Sequence, residues 1–70
     1  MVEKTIDLTG TSANSIEDAV NIAISRAAVT IDSLHQAQIV DIRAIITDGV
    51  VSHWRVRVKV SFTIQDRLHE

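Results

Sequence analysis

Cysteine, proline and tyrosine are absent from this chain, and glycine occurs only at Gly10 and Gly49. Without cysteine there is no disulfide framework, no thiolate metal centre and no thiol nucleophile. The three histidines, His35, His53 and His69, are too far apart to show a metal-ligand spacing, so the expectation is no metal site. Basic charge is also scarce. Seven Lys and Arg face nine Asp and Glu, for a net charge of −2. That balance lacks the broad basic face of a nucleic-acid binder. No apolar run approaches the roughly 18 residues of a membrane span. The opening Met1-Val2-Glu3-Lys4 has no apolar core of an export signal. These absences lead to the expectation of a cytoplasmic protein without nucleic-acid or membrane partners. There is no glycine-rich phosphate loop and no Ser-His-Asp constellation, which leads to the expectation of a non-enzyme.

What the chain does have is aliphatic surface. Hydrophobic residues make up 46% of its 70 residues, aromatics only 3%. A chain this short buries only about 60% of the surface its unfolded form exposes. Small domains usually need a staple. With disulfides and a cysteine-rich zinc site ruled out and no metal-ligand spacing visible, self-association is the expected one.

Residues 2–9 alternate, with Val2, Lys4, Ile6 and Leu8 on one face, which predicts a strand. Gly10-Thr11-Ser12 reads as a loop. Ser15, three residues before Asp18, resembles a capping box with Asp in place of Glu or Gln. Apolar residues then fall at 16, 20, 23, 24, 27, 31 and 34, which predicts a helix over about 15–32. Two Val/Ile-rich stretches, 36–47 and 51–65, flank Asp48-Gly49, a hairpin signal. In the second stretch Trp54, Val56, Val58, Val60, Phe62 and Ile64 share one face, expected to pack on the helix. His53, Arg55, Arg57, Lys59, Ser61 and Thr63 share the other. The first stretch loses phase near Val40-Asp41. A β-bulge there places Gln36, Gln38, Asp41, Arg43 and Ile45 together on the face away from the helix. Trp54 reads as a core or interface residue, and Asp41 as half of a cross-strand ion pair with Arg57 or Arg55.

The expected fold is α+β, with residues 1–70 as a single domain in the order β-α-β-β. The third strand inserts between the first two, giving a three-stranded antiparallel sheet packed on one helix. The sheet's far face and both edges stay open, which again favours assembly.

The order and spacing of several short motifs resemble the dodecin family. They are Leu8-Thr9-Gly10-Thr11-Ser12, the helix segment from Ala19 to Thr30 with Arg26-Ala27, Ala37-Gln38-Ile39-Val40-Asp41-Ile42-Arg43, and Val56-Arg57-Val58-Lys59-Val60-Ser61-Phe62. The resemblance runs through nearly the whole chain. It implies a hollow homododecamer that stores a small ligand without turning it over, by default a flavin such as riboflavin or FMN. It also implies a ligand pocket on the sheet's outer face, for which Gln36, Gln38, Asp41, Ile45, Arg55 and Arg57 are the candidate residues. Gln36 stands where flavin-binding members have a stacking tryptophan. Arg55 stands where they have a hydrogen-bonding glutamine, and Ile45 takes a third pocket position. The alternative implied is a shell of the same type that holds metal ions, such as calcium, or another small ligand.

Overall fold

The computed structural model describes residues 2–64. Its elements are β1 (Val2–Ser12), α1 (Ile16–Ala28), β2 (Leu34–Thr47) and β3 (Val50–Ile64). The sheet order is β1-β3-β2, with β3 antiparallel to both neighbours. The expected β-α-β-β architecture and the central place of the last strand are therefore as read from the sequence. His69 and the end of the expected last strand at residue 65 lie outside the described residues.

β1 runs three residues past its expected end. Gly10, Thr11 and Ser12 pair with Val56, Arg55 and Trp54 instead of forming a loop. The reason is contact with the helix. Gly10 is buried, and a Cβ built on it falls 1.9 Å from the Ala19 carbonyl oxygen. Glycine therefore lets α1 rest on the strand backbone. The helix meets the sheet through small side chains, Ala19, Ala23 and Ala27, all buried. Ala19 and Ala23 pack on Val56, Val58 and Val60, the three largest fully buried side chains. Ile6, Leu8, Ile16, Val20, Leu34 and Ala37 close the rim of this core.

The helix starts as its cap requires. Ser15 is extended (φ −163°, ψ 164°), and its hydroxyl accepts the Asp18 N–H at 2.9 Å. Asp18 does not reach back to the Ser15 N–H as a full capping box would. Its carboxylate instead accepts the Ser12 hydroxyl proton at 2.6 Å, and the Ser12 oxygen accepts the Asn14 and Ser15 N–H groups at 2.9 and 3.3 Å. An Asp side chain is one methylene shorter than Glu, and Ser12 bridges the gap.

The helix ends at Ala28, four residues before the expected boundary. Val29-Thr30-Ile31 is a β-branched run with low helix propensity. Thr30 and Ile31 both donate to the Ala27 carbonyl in a closing turn. The Ser33 hydroxyl then donates to the Thr63 carbonyl at 2.7 Å, committing the chain to the sheet. Ile31 and Leu34 continue the apolar pattern outside the helix.

Asp48 and Gly49 both have positive φ, 53° and 80°, between the paired Thr47 and Val50. This is the two-residue turn expected of Asp-Gly in a hairpin. Register shifts occur at Leu34/Gln36, Ile39/Asp41 and Ile45/Ile46. The middle one leaves Val40 unpaired, where the phase slips in the sequence.

Thirteen helical residues span about 20 Å, whereas the fifteen residues of β3 span about 50 Å. The helix therefore covers less than half of the sheet's length. The radius of gyration is 15.1 Å, against about 11 Å for a compact domain of this length. On the helix side, the part of the hairpin that the helix does not cover is bare. Ile46 and Val51 are exposed past the helix end, Ile39 and Ile42 are exposed on β2 beside the helix, opposite the buried Val58 and Val56, and Trp54 is half-buried. The sequence reading places the uncovered surface on the sheet's outer face and edges. The structure adds a second one: an apolar surface on the helix side, past the helix end and along β2 beside it.

Candidate functional site

The outer face is polar, and the bulge at Val40 makes it so. β3 puts His53, Arg55, Arg57, Lys59 and Ser61 there by simple alternation. β2 reaches the same face in two phases. Before the bulge Gln36 and Gln38 lie opposite Ser61 and Lys59; after it Asp41, Arg43 and Ile45 lie opposite Arg57, Arg55 and His53. All six candidate residues thus share one face, in a row that follows β3 from Ser61 to His53, about 26 Å at 3.3 Å per residue.

They do not form one pocket within a single chain. Asp41, Arg55 and Arg57 come together with Arg43 and Thr9 around a depression of ≈ 190 Å³. Gln36 lies six residues of β3 away from Arg55, about 20 Å. It rims a different hollow of ≈ 270 Å³ with Ile24, Leu34, His35, Ala37 and Val60. Gln38 stands between the two, and Ile45 lies at the far end opposite His53. Any pocket that uses both Gln36 and Arg55 must draw them from different copies of the chain.

Asp41 makes its ion pair along its own strand, not across to Arg57 or Arg55. Its Oδ2 accepts the Arg43 Nε–H at 2.7 Å. Although Arg57 is the residue opposite, it turns to β1 and meets Asp7 at 3.6 Å. A side chain two residues along the same face can present its Nε edge-on, and Arg57 has a second carboxylate on its other flank. The Asp41 hydrogen bond, and after it the Asp41 charge, raises the Arg43 pKa above its ordinary value.

Elsewhere on this face Thr5 and Ser61 hydroxyls lie 3.2 Å apart, and His35 Nε2 is 3.2 Å from Glu3. The Ser52 hydroxyl is 2.6 Å from His53 Nδ1, at the bulge on β3. No cluster of three or more His, Asp or Glu side chains forms among the described residues. Among the described residues no helix is long and apolar enough to cross a membrane.

Arg43 and Thr9 line the depression without being picked out from the sequence as ligand residues. Arg43 was legible as a member of the outer face. Its opposition to Arg55 depends on register, which alternation alone does not set.

A protein-family model described as Dodecin matches residues 2–65. A dodecin of Thermus thermophilus is 31% identical over 65 residues, covering 93% of this chain and 94% of that protein. Among solved structures, dodecin from Streptomyces davaonensis superposes with a TM-score of 0.86 at 31% identity, covering 93% of this chain and 96% of the other. A calcium-chelating antigen of Mycobacterium tuberculosis, described as a calcium dodecin with a novel calcium-binding site, superposes with a TM-score of 0.82 at 29% identity, covering 93% of each chain.

Proposed function

This chain belongs to the dodecin family, and from that we infer that it is a binding protein, not a catalyst, which assembles from copies of itself and holds a small ligand between them. The observation that carries this reading is the division of its surface. The apolar residues left bare by the short helix, Ile39, Ile42, Ile46 and Val51, supply the area for assembly. The outer face supplies polar groups for a ligand. A shell of twelve copies is the family form, and it accounts for a subunit whose core rests on three valines and small alanines. The lack of cysteine suits a reducing, cytoplasmic setting.

Flavin is the default ligand that this family suggests, as riboflavin or FMN. In this reading Gln36 of one copy approaches Arg55 of another across a two-fold axis, which brings together groups that lie about 20 Å apart in one chain. Gln36 offers a flat amide where flavin-binding members place tryptophan. Base–aromatic stacking is worth roughly 1–3 kcal/mol per base, so the native affinity for flavin is expected to be modest. The test is riboflavin titration of the assembled particle, followed by quenching of flavin fluorescence. Gln36→Trp is expected to strengthen binding by roughly tenfold or more. A particle that quenches no flavin, with or without Gln36→Trp, refutes the flavin assignment. A protein that light scattering finds monomeric at working concentration refutes the assembly as well.

The calcium-binding relative favours a second reading, a shell of the same kind that holds divalent cations. No single copy gathers three His, Asp or Glu side chains among the described residues, so in this reading the ligands come from more than one copy or include backbone carbonyls. Calorimetric titration with calcium separates the two readings.

A further inference from the structure

The Asp48-Gly49 turn carries chemistry besides its geometry. Both residues are exposed, and both have positive φ, 53° and 80°. Nothing lies within 4 Å of a Cβ built on Gly49. The Gly49 N–H makes no backbone hydrogen bond among the described residues. No cation there pairs with the Asp48 carboxylate. A carboxyl carbon thus stands beside an unengaged amide nitrogen, on a residue with no side chain to obstruct the approach. Every other Asp or Asn of the described residues is held differently. Asp7 and Asp41 lie within strands and pair with Arg57 and Arg43. Asp18 lies in α1, its carboxylate accepts from Ser12, and the Ala19 N–H after it donates to the Ser15 carbonyl. The Ser15 N–H after Asn14 donates to Ser12 Oγ, and Asn21 lies in mid-helix. Asp32 is outside helix and strand, but Ser33 after it carries a side chain. Asp66 lies outside the described residues.

We propose that Asp48 is a site of spontaneous covalent modification, where the chain converts to isoaspartate and the end of the hairpin comes undone. The Gly49 backbone nitrogen attacks the carbon of the protonated Asp48 carboxyl. A C–N bond forms, the nitrogen gives up its proton, and a carboxyl oxygen leaves as water, which closes a five-membered succinimide. Water then adds at the Asp48 main-chain carbonyl and breaks its bond to the nitrogen. One water has left and one has returned, and the main chain now runs through the Asp48 side chain. The step needs no oxidant, metal or enzyme, and it depends on neither ligand nor self-association. The product carries an extra main-chain carbon in a connection of two residues. Two-residue hairpin turns of this kind depend on two consecutive residues with positive φ, so Thr47 and Val50 lose their pairing. Ile46 and Val51, exposed on either side of the turn, lose their register with it.

The test ages the full-length protein at neutral pH, in its native state and in urea. Isoaspartate is counted by methyl transfer from S-adenosylmethionine with an isoaspartate-specific carboxyl methyltransferase. It is located by peptide mapping with a protease that cuts before aspartate and stops cutting at a converted residue. Wild type is compared with Gly49→Ala and Asp48→Glu. Native wild type is expected to lose cleavage at Asp48 several-fold faster than at Asp32, with a transient species lighter by one water. Both variants are expected to slow that loss several-fold, one by placing a methyl group beside the attacking nitrogen, the other by requiring a six-membered ring. Hydrogen exchange from Ile46 to Val51 is expected to accelerate in converted protein. Loss of cleavage no faster at Asp48 than at Asp32, or undiminished in Gly49→Ala, overturns the proposal. A native rate far below the rate in urea overturns it too, because the turn then protects the residue it was expected to expose. Converted protein in which exchange from Ile46 to Val51 is unchanged overturns the opening of the hairpin end.

Discussion

Replacing Gly10 with alanine tests the contact on which the two layers depend. The added Cβ falls 1.9 Å from the Ala19 carbonyl oxygen, 2.9 Å from its carbonyl carbon and 3.1 Å from the Ala23 Cβ. The first two are backbone atoms of α1, so no rotamer change relieves them. The helix must withdraw from the sheet by roughly 1 Å, and a gap of that size forfeits about a quarter to a half of the attraction across each contact it opens. The contacts at stake are those of Ala19 and Ala23 with Val56, Val58 and Val60, which form the centre of the core. Overpacking of this kind costs about 1–3 kcal/mol, more when backbone must move, and the upper end applies here. A domain of this length has about 4–10 kcal/mol to lose. Urea unfolding followed by circular dichroism measures the change. It requires one fixed subunit concentration, because assembly couples to stability. Gly49→Ala serves as the comparison. Gly49 has φ 80° and open space around it, so its cost is conformational and about 1 kcal/mol. Adding Ala23→Gly to Gly10→Ala is expected to restore little, since the worst contact is with the Ala19 backbone. An unchanged midpoint for Gly10→Ala, or full rescue by Ala23→Gly, would show that close approach of helix and strand is not what position 10 provides.

Ser12→Ala is expected to lower stability by about 1–3 kcal/mol, because a buried hydroxyl that serves two N–H groups and Asp18 is lost together with its partners' satisfaction. Urea midpoints read this, and hydrogen exchange is expected to accelerate first at Asn14 and Ser15. Ile46→Lys, on the bare end of the hairpin, is expected to leave the secondary structure unchanged by circular dichroism while the particle mass falls. Full burial of an isoleucine is worth about 1.5–3 kcal/mol per copy, and light scattering that finds the mass unchanged rules this patch out as an assembly surface.

Much of the fold was legible because its signals are local. The period of Ile16, Val20, Ala23 and Ala27 is helical, and Ser15 marks the start. The even positions of β3 alternate cleanly through the core. Asp48-Gly49 requires two positive φ values, and few other turns use that pair. Even the bulge was visible, because the apolar positions of β2 change parity at Val40-Asp41, and the face assignment of Gln36, Gln38, Asp41, Arg43 and Ile45 followed from it. The resemblance to dodecins likewise rests on motif order along the chain, and the family comparison agrees with it.

The rest depended on distances that no local pattern encodes. The extension of β1 through Ser12 came from pairing with Trp54, a residue 42 positions away in the chain. After the β-branched run ended the helix, Ser33 and Thr63 meeting across the sheet fixed where the chain joined β2, so the apolar rhythm at Ile31 and Leu34 outlasted the helix itself. The register of β2 on β3, with its shifts at Ile39/Asp41 and Ile45/Ile46, decided that Arg43 faces Arg55 and that Gln36 and Arg55 lie far apart on one chain, and side-chain packing decided that Asp41 turns to Arg43. The sequence by itself determined which elements form, in what order, and which residues share a face, because periodicity and turn chemistry act over a few residues. Tertiary structure decided which charges meet and which surface stays bare. A helix advances 1.5 Å per residue and a strand more than 3 Å, so only their docking shows how far the hairpin runs beyond its cover.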